Sequence, residues 1–158
     1  MTRAYAADIV TWRYAAPYDY YDMTRADPDF IASPQGGYYA LVDQDRLIGF
    51  RSFGEDGRVP GYCYDESALD TGGGLRPELT GQGLGREAIQ TGLEFGRQLF
   101  APLAFRVTIA SFNVRAQRVV GALGFRKIAM FDASTDGCSF EVLVRPEQAS
   151  QAGPAQTG

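Results

Sequence analysis

The chain has 158 residues, of which 45% are apolar and 13% aromatic, and it carries a net charge of −4. That length fits one domain, and that apolar content supports a folded core rather than a disordered chain. The acidic balance and the lack of a basic patch argue against nucleic-acid binding. No run reaches the ~20 apolar residues of a membrane span, and the first residues lack a signal-peptide pattern, so a cytoplasmic protein that binds no membrane is expected.

In chain order, Ala6 to Tyr14 reads as a short helix ended by Pro17. Tyr18, Asp19, Tyr20, Tyr21 and Asp22 form a dense cluster. It reads either as part of a pocket for a cationic substrate or as a surface loop whose tyrosines pack on the core. Gly37 to Val42 and Leu47 to Phe53 flank a polar turn and predict a hairpin. Ser67 to Leu75 predicts a strand in which Gly72, Gly73 and Gly74 mark a bulge or a close backbone approach. Gly83 to Phe100 is the clearest helix, with Gly85, Ala88, Ile89, Gly92, Leu93, Gly96, Leu99 and Phe100 on one face. Its glycines predict close packing on a sheet. Phe105 to Ala110 predicts a strand, Val114 to Leu123 a helix closed by Gly124, and Phe125 to Phe131 and Phe140 to Val144 two final strands. The fold class is therefore α+β, a mixed α/β layer, with one domain over residues 1–146 and a polar tail over 147–158.

Histidine is absent, which removes Ser-His-Asp and Cys-His nucleophile systems and the HExxH zinc site. Cys63 and Cys138 have no metal-ligand spacing and read as small apolar residues, so no metal is expected.

The chemistry concentrates in LRPELTGQGLGR, from Leu75 to Arg86. A strand ends, a glycine-rich turn follows, and a long helix begins. Such a turn presents backbone N–H groups to one point, glycine admits a ligand closely, and the helix start adds partial positive charge. The combination suits a phosphate or pyrophosphate. Arg86 opposes the helix dipole unless an anion binds there. The segment lacks the Lys of a P-loop, and the spacing Gly81, Gly83, Gly85 is wrong for a dinucleotide fingerprint. By itself the segment also reads as an ordinary loop before a helix.

This segment resembles the acetyl-CoA motif of the GNAT N-acetyltransferase superfamily, Arg/Gln-x-x-Gly-x-Gly/Ala after a strand ending in Val-x-Pro. Leu75, Arg76 and Pro77 match the strand end, and Thr80, Gly81, Gln82, Gly83, Leu84 and Gly85 match the loop, with Thr80 where Arg or Gln is commoner. A second segment, NVRAQRVVGALGF, resembles the family's Asn-x-x-Ala-x-x-x-Tyr-x-x-x-Gly-Phe at Asn113, Ala116, Gly124 and Phe125. The resemblance implies a GNAT fold, a central mostly antiparallel sheet flanked by helices. It implies acetyl-CoA held from Leu75 to Arg86, with Asn113, Arg115 and Arg118 as further contacts. A helix cap alone would also explain Asn113.

The resemblance further implies direct acyl transfer to a primary amine, with the Leu75 N–H on the thioester carbonyl and then on the oxyanion. A lysine-type amine has pKa ~10.4, so it needs a base or a water chain. Relatives of the ribosomal-protein alanine acetyltransferase type place a Glu where Thr108 stands, and the usual Tyr acid is replaced by Val120. Thiolate, from a thiol of pKa ~8.5, leaves without that acid. Asp70, on the strand leading to Leu75, is the first expectation for the base, with Asp65 and Glu66 next. Each of these carboxylates also reads as a solvated or turn-capping group.

The acceptor stays open among a peptide or protein amine, a polyamine, an aminoglycoside and another small metabolite. A non-catalytic acyl-CoA sensor is the alternative, and a generic phosphate-binding domain would require both motifs to be coincidence. The family's last strands often pair between subunits, so a homodimer is a further expectation.

Overall fold

Thr2 opens the first helix by accepting a hydrogen bond from the Tyr5 amide, and α1 runs over Arg3–Ile9. It stops short of the expected Tyr14 because the Thr11 hydroxyl turns back and donates to the Asp8 carbonyl. This computed structural model of the protein describes residues 1–148. The Tyr/Asp cluster forms a single 3-10 turn, Tyr18–Tyr21. A second short helix, α2 (Pro28–Ala32), is missing from the sequence reading. Its signal is Asp27, whose carboxylate caps the Asp29 amide, followed by Pro28 in the first turn.

The expected hairpin is β1 (Tyr38–Asp43) and β2 (Arg46–Phe53), with Gln44 and Asp45 both at positive φ in the turn. The remaining elements are β3 (Leu69–Leu75), α3 (Gly85–Phe100), β4 (Ala104–Ala110), α4 (Val114–Ala122), β5 (Arg126–Asp132) and β6 (Ser139–Pro146). The six strands lie in the order β1-β2-β3-β4-β6-β5, and every neighbouring pair is antiparallel except β3 with β4.

The two faces of the sheet bury different parts of the chain, and the irregular pairing of β2 at Ile48 turns Leu47 to the same face as Phe50. On one face, Phe53, Phe105, Val107 and Ile109 pack with Leu93 of α3 and Val120 of α4. Each fully buried side chain of this size contributes roughly 1.5–3 kcal/mol. On the other face, Leu47 and Phe50 pack against Ile9 and Trp12. The glycines of α3 act as the sequence predicts. A Cβ at Gly96 would lie 2.5 Å from the Phe53 ring, and one at Gly92 would lie 2.9 Å from Arg51 Cδ. The helix therefore sits directly on β2. Leu99 and Phe100, expected on the same buried face, are 52% and 42% exposed. They lie in the last turn of the helix, just before the left-handed Ala101 that ends it.

The bulge expected at Gly72 to Gly74 does not form. The pairing of β2 with β3 runs without a break from Phe53↔Thr71 to Gly49↔Leu75. These glycines instead let side chains cross the strand: a Cβ at Gly74 would meet Tyr14 Oη at 3.0 Å and the Phe50 ring at 3.1 Å. Just past the end of β6, the Glu147 N–H donates to the Leu103 carbonyl and its carboxylate accepts from Arg145. Residues 149–158 of the expected tail lie outside the described residues. Among the described residues no helix is long and apolar enough to cross a membrane.

Candidate functional site

The two parallel strands share only two rungs, Leu69↔Phe105 and Asp70↔Arg106. Beyond them β3 stays with β2 as far as Leu75, and β4 stays with β6 as far as Ala110. The strands splay into a V that opens at their carboxyl ends. Their next neighbours lie to opposite sides, and a crevice at such a point is a common ligand site in α/β sheets.

Strand alternation decides which backbone groups face this V. The Gly54 N–H donates to the Asp70 carbonyl and the Arg76 N–H to the Ile48 carbonyl, so even-numbered residues of β3 bond toward β2. The odd-numbered Thr71, Gly73 and Leu75 then turn their N–H and C=O groups toward the V. The Leu75 carbonyl accepts from the Tyr14 hydroxyl at 2.7 Å. On the opposite strand, the Ala110 N–H donates to the Tyr21 hydroxyl at 3.3 Å. The N-terminal segment thus touches both arms of the V.

Leu75 leads into a 3-10 turn, Pro77–Leu79, and then into the glycine loop. The Thr80 hydroxyl closes that turn on the Pro77 carbonyl at 2.7 Å, and the Gln82 amide group donates to the Glu78 carbonyl at 2.6 Å. Gly81 and Gly83 adopt φ of +74° and +80°, which side chains rarely tolerate. A Cβ at Gly83 would meet nothing within 4 Å. No side chain caps α3, whose preceding residue is Leu84. Among the described residues the amides from Gly81 to Glu87 donate to no acceptor, in contrast to Ala88, which bonds Leu84. Gly85 and Arg86 open the helix, and Arg86 is exposed. Free amides, left-handed glycines and an uncapped helix of 16 residues form an anion cradle. Arg115 flanks it: its guanidinium stacks on Tyr18 at 3.8 Å, and Nη1 would lie 3.6 Å from a Cβ on Gly81. Arg118 is exposed on α4.

Two expectations need correction. Asp70 is not a free carboxylate. It is 1% exposed, with Oδ1 accepting from Arg106 Nε at 2.6 Å and Oδ2 from Arg106 Nη2 and Arg58 Nε, both at 2.8 Å. These bonds raise the pKa of both guanidiniums, and they take three of the four acceptor sites of a carboxylate that is buried between two cations. Arg76 does not reach toward the cradle. Its N–H is taken by Ile48, its Nε donates to the Leu47 carbonyl, and its guanidinium pairs with Asp8 over Trp12. The Tyr/Asp cluster follows the second of its two readings, a loop whose tyrosines pack on the core. Tyr20 packs on Phe112 and Phe140 and donates to Asp136, while Asp22 accepts from the Tyr14 amide.

The second-choice carboxylates lie at the rim. Hydrogen bonds from Ser67 and Arg106 pull the Asp65 pKa down to about 2, which makes it a weak base, and Glu66 is exposed with a 3.4 Å contact to Arg58. Asn113 caps α4, its Oδ1 accepting from the Ala116 amide at 3.1 Å, while its Nδ2 donates to Tyr21. Val120 points into the core and is 2% exposed. Sequence reasoning missed Tyr64. Its hydroxyl accepts from the Val59 N–H at 2.9 Å and lies 3.0 Å from the Thr108 hydroxyl, while the guanidiniums of Arg58 and Arg106 cover its ring. Nothing local in GYCYDE marks it. A surface depression of about 450 Å³ between α3 and the end of β6 is lined by Glu87 and by the ion pairs Arg97–Glu94 and Arg145–Glu147, which leave, among the described residues, no unpaired cation for a phosphate there.

A family model described as an acetyltransferase (GNAT) domain matches residues 2–126. A comparison with curated proteins finds no match. Among solved structures, an aminoglycoside acetyltransferase in complex with coenzyme A superposes with a TM-score of 0.70 at 15% identity, covering 94% of this chain and 92% of that one. A ribosomal-protein alanine acetyltransferase from Vibrio fischeri gives 0.62 at 14% identity, covering 92% and 90%. A spermidine N-acetyltransferase chimera including the Vibrio cholerae enzyme gives 0.56 at 18% identity, and this chain, covered over 69% of its length, spans 65% of that one, just under two thirds. At such identities the structural likeness speaks for the fold, and the family model for the membership. The chain belongs to the GNAT acetyltransferase family.

Proposed function

We propose that the chain transfers an acyl group from acyl-CoA, acetyl-CoA in the simplest case, to a primary amine of a small molecule or peptide. The single observation behind this reading is the uncapped start of α3 beside left-handed Gly81 and Gly83, opening onto the V between β3 and β4. The amides from Gly81 to Arg86 hold the diphosphate, and Arg115 adds positive charge next to it. The pantetheine arm then runs down the V, past Leu75.

The transfer is direct. The amine nitrogen attacks the thioester carbon, the Leu75 N–H stabilises the oxyanion, and the C–S bond breaks to release CoA as thiolate. The amine's proton leaves through the hydroxyl pair Thr108 and Tyr64, which takes the role first expected of Asp70. The thiolate takes up a proton from solvent. Coenzyme A in a structural neighbour and the amine acceptors in the neighbours' names support the reading.

The acyl-CoA sensor is favoured by one observation, Val120 buried in the core where the family's Tyr acid would stand. Titration calorimetry with acetyl-CoA, followed by thiol release across a panel of amines, separates the two. CoA release dependent on one class of amine supports the enzyme. Tight binding with no amine-dependent release supports the sensor, and no binding rejects both.

A further inference from the structure

Two arginines are buried in the described residues, and they are treated differently. Arg106 is bound by Asp70 and Asp65. Arg51, on β2, is 6% exposed and meets no carboxylate among the described residues. Its Nε donates to the Thr71 hydroxyl at 3.0 Å, and that hydroxyl donates onward to the Ser52 carbonyl. Nη1 and Nη2 make no hydrogen bond. Every enclosed side-chain nitrogen and oxygen among the described residues has a partner, so these two groups face an opening.

The direction of the side chain identifies that opening. Its stem passes beneath α3 at Gly92, and its tip reaches Gly73, where a Cβ would lie 3.1 Å from Nη1. Gly73 is exposed and lies on β3 three residues past Asp70, the last residue that β3 shares with β4. The guanidinium therefore lies over β3 on the face covered by α3, beside the residues that follow the last rung closing the V. A buried cation with no counter-charge is costly, and burial alone pulls this pKa down to about 10, which still leaves Arg51 charged at neutral pH. Two free amino groups on one planar fork suit a single carboxylate.

We propose that Arg51 binds a carboxylate carried by the substrate, namely the terminal carboxylate of a short dicarboxylic acyl-CoA. The donor is favoured over the acceptor as its source because Arg51 reaches the V from the face of α3, the helix that starts at the phosphate cradle. The N-terminal segment covers the other face. The transfer then forms a C–N bond to the acyl carbon and breaks the C–S bond. The amine loses a proton, the CoA thiolate gains one, and the distal carboxylate stays intact in the product.

This inference rests on the proposed acyl-CoA function, and calorimetry can separate the two. CoA, acetyl-CoA and succinyl-CoA are titrated into the native protein and into Arg51→Met. Succinyl-CoA is expected to bind roughly tenfold or more tighter than acetyl-CoA to the native protein, as charge-assisted hydrogen bonds allow. Arg51→Met should erase that preference and leave the other two affinities unchanged. Equal affinities in the native protein, or an equal loss for all three ligands in the variant, overturn the proposal while leaving the acyl-CoA function standing. No binding of CoA defeats both. If Arg51→Met does not fold, Arg51→Lys keeps the charge and loses the fork. A lowered succinyl preference in that variant supports the proposal, and an unchanged one overturns it. A second arm compares acetyl transfer to amines with and without a carboxylate. A preference there that depends on Arg51 moves the carboxylate to the acceptor and overturns the assignment to the donor.

Discussion

Asp70 and Arg106 face each other across the last rung that β3 and β4 share, joined by two hydrogen bonds of 2.6 and 2.8 Å. The pair closes the V at its base and leaves it open above. Removing one member strands a buried charge, a change that costs about 3–5 kcal/mol. Asp70→Ala is therefore expected to lower the urea midpoint by an amount of that order. Thr71→Ser, one residue on, keeps the hydroxyl that holds Arg51 and should shift it far less. An Asp70→Ala protein of native stability would remove this account of the V.

The cradle gives a second expectation. Gly83 has open space around it but a left-handed backbone, so Gly83→Glu places a negative side chain among the free amides at a backbone cost of about 1–2 kcal/mol. Calorimetry should show CoA binding lost while circular dichroism shows the fold retained. Retained affinity would move the diphosphate elsewhere.

Packing of α3 makes a third. In an exposed helix Gly→Ala gains about 1 kcal/mol. At Gly96 the new methyl would stand 2.5 Å from the buried Phe53 ring. Overpacking costs typically about 1–3 kcal/mol, so Gly96→Ala should destabilise on balance despite the better propensity. Thermal unfolding reads the sign directly.

The hydroxyl pair makes a fourth. Tyr64→Phe removes the oxygen that bonds Thr108 and leaves the ring beneath Arg58 and Arg106. With Tyr64 in the proton route, kcat should fall by tens-fold or more, CoA affinity should hold, and the rise of rate with pH should steepen. A fall in KM-linked binding with kcat intact would make the contact structural only.

Alkaline stability makes a fifth. Burial, with Asp22 and Glu78 nearby, raises the Tyr14 pKa above the ordinary 10.0, and burial beside Asp56 raises that of Tyr38 to about 12. A raised pKa means that the folded state holds the proton more tightly. That stability is complete below pH 10 and is lost as the pH climbs from 10 toward the folded-state values. Urea midpoints between pH 8 and 12 should fall only above 10, and less steeply in Tyr14→Phe. A flat profile would contradict the burial of these phenols.

The sequence by itself determined what depends on neighbours along the chain. The glycine turn before α3, the hairpin around Gln44 and Asp45, the Asn113 cap and the glycine face of α3 all rest on residues within a turn or two of one another. Steric limits on φ and the helical period act at that range. Only the tertiary structure decided what depends on residues far apart. Asp70 lies 36 residues from the Arg106 that occupies it, Tyr14 lies 61 from the Leu75 carbonyl, and Tyr64 lies 44 from Thr108. A carboxylate's freedom is set by which guanidinium the fold brings to it, and no local pattern encodes that. The missing bulge has the same cause: Gly73 and Gly74 make room for Arg51, Tyr14 and Phe50, which arrive from other elements.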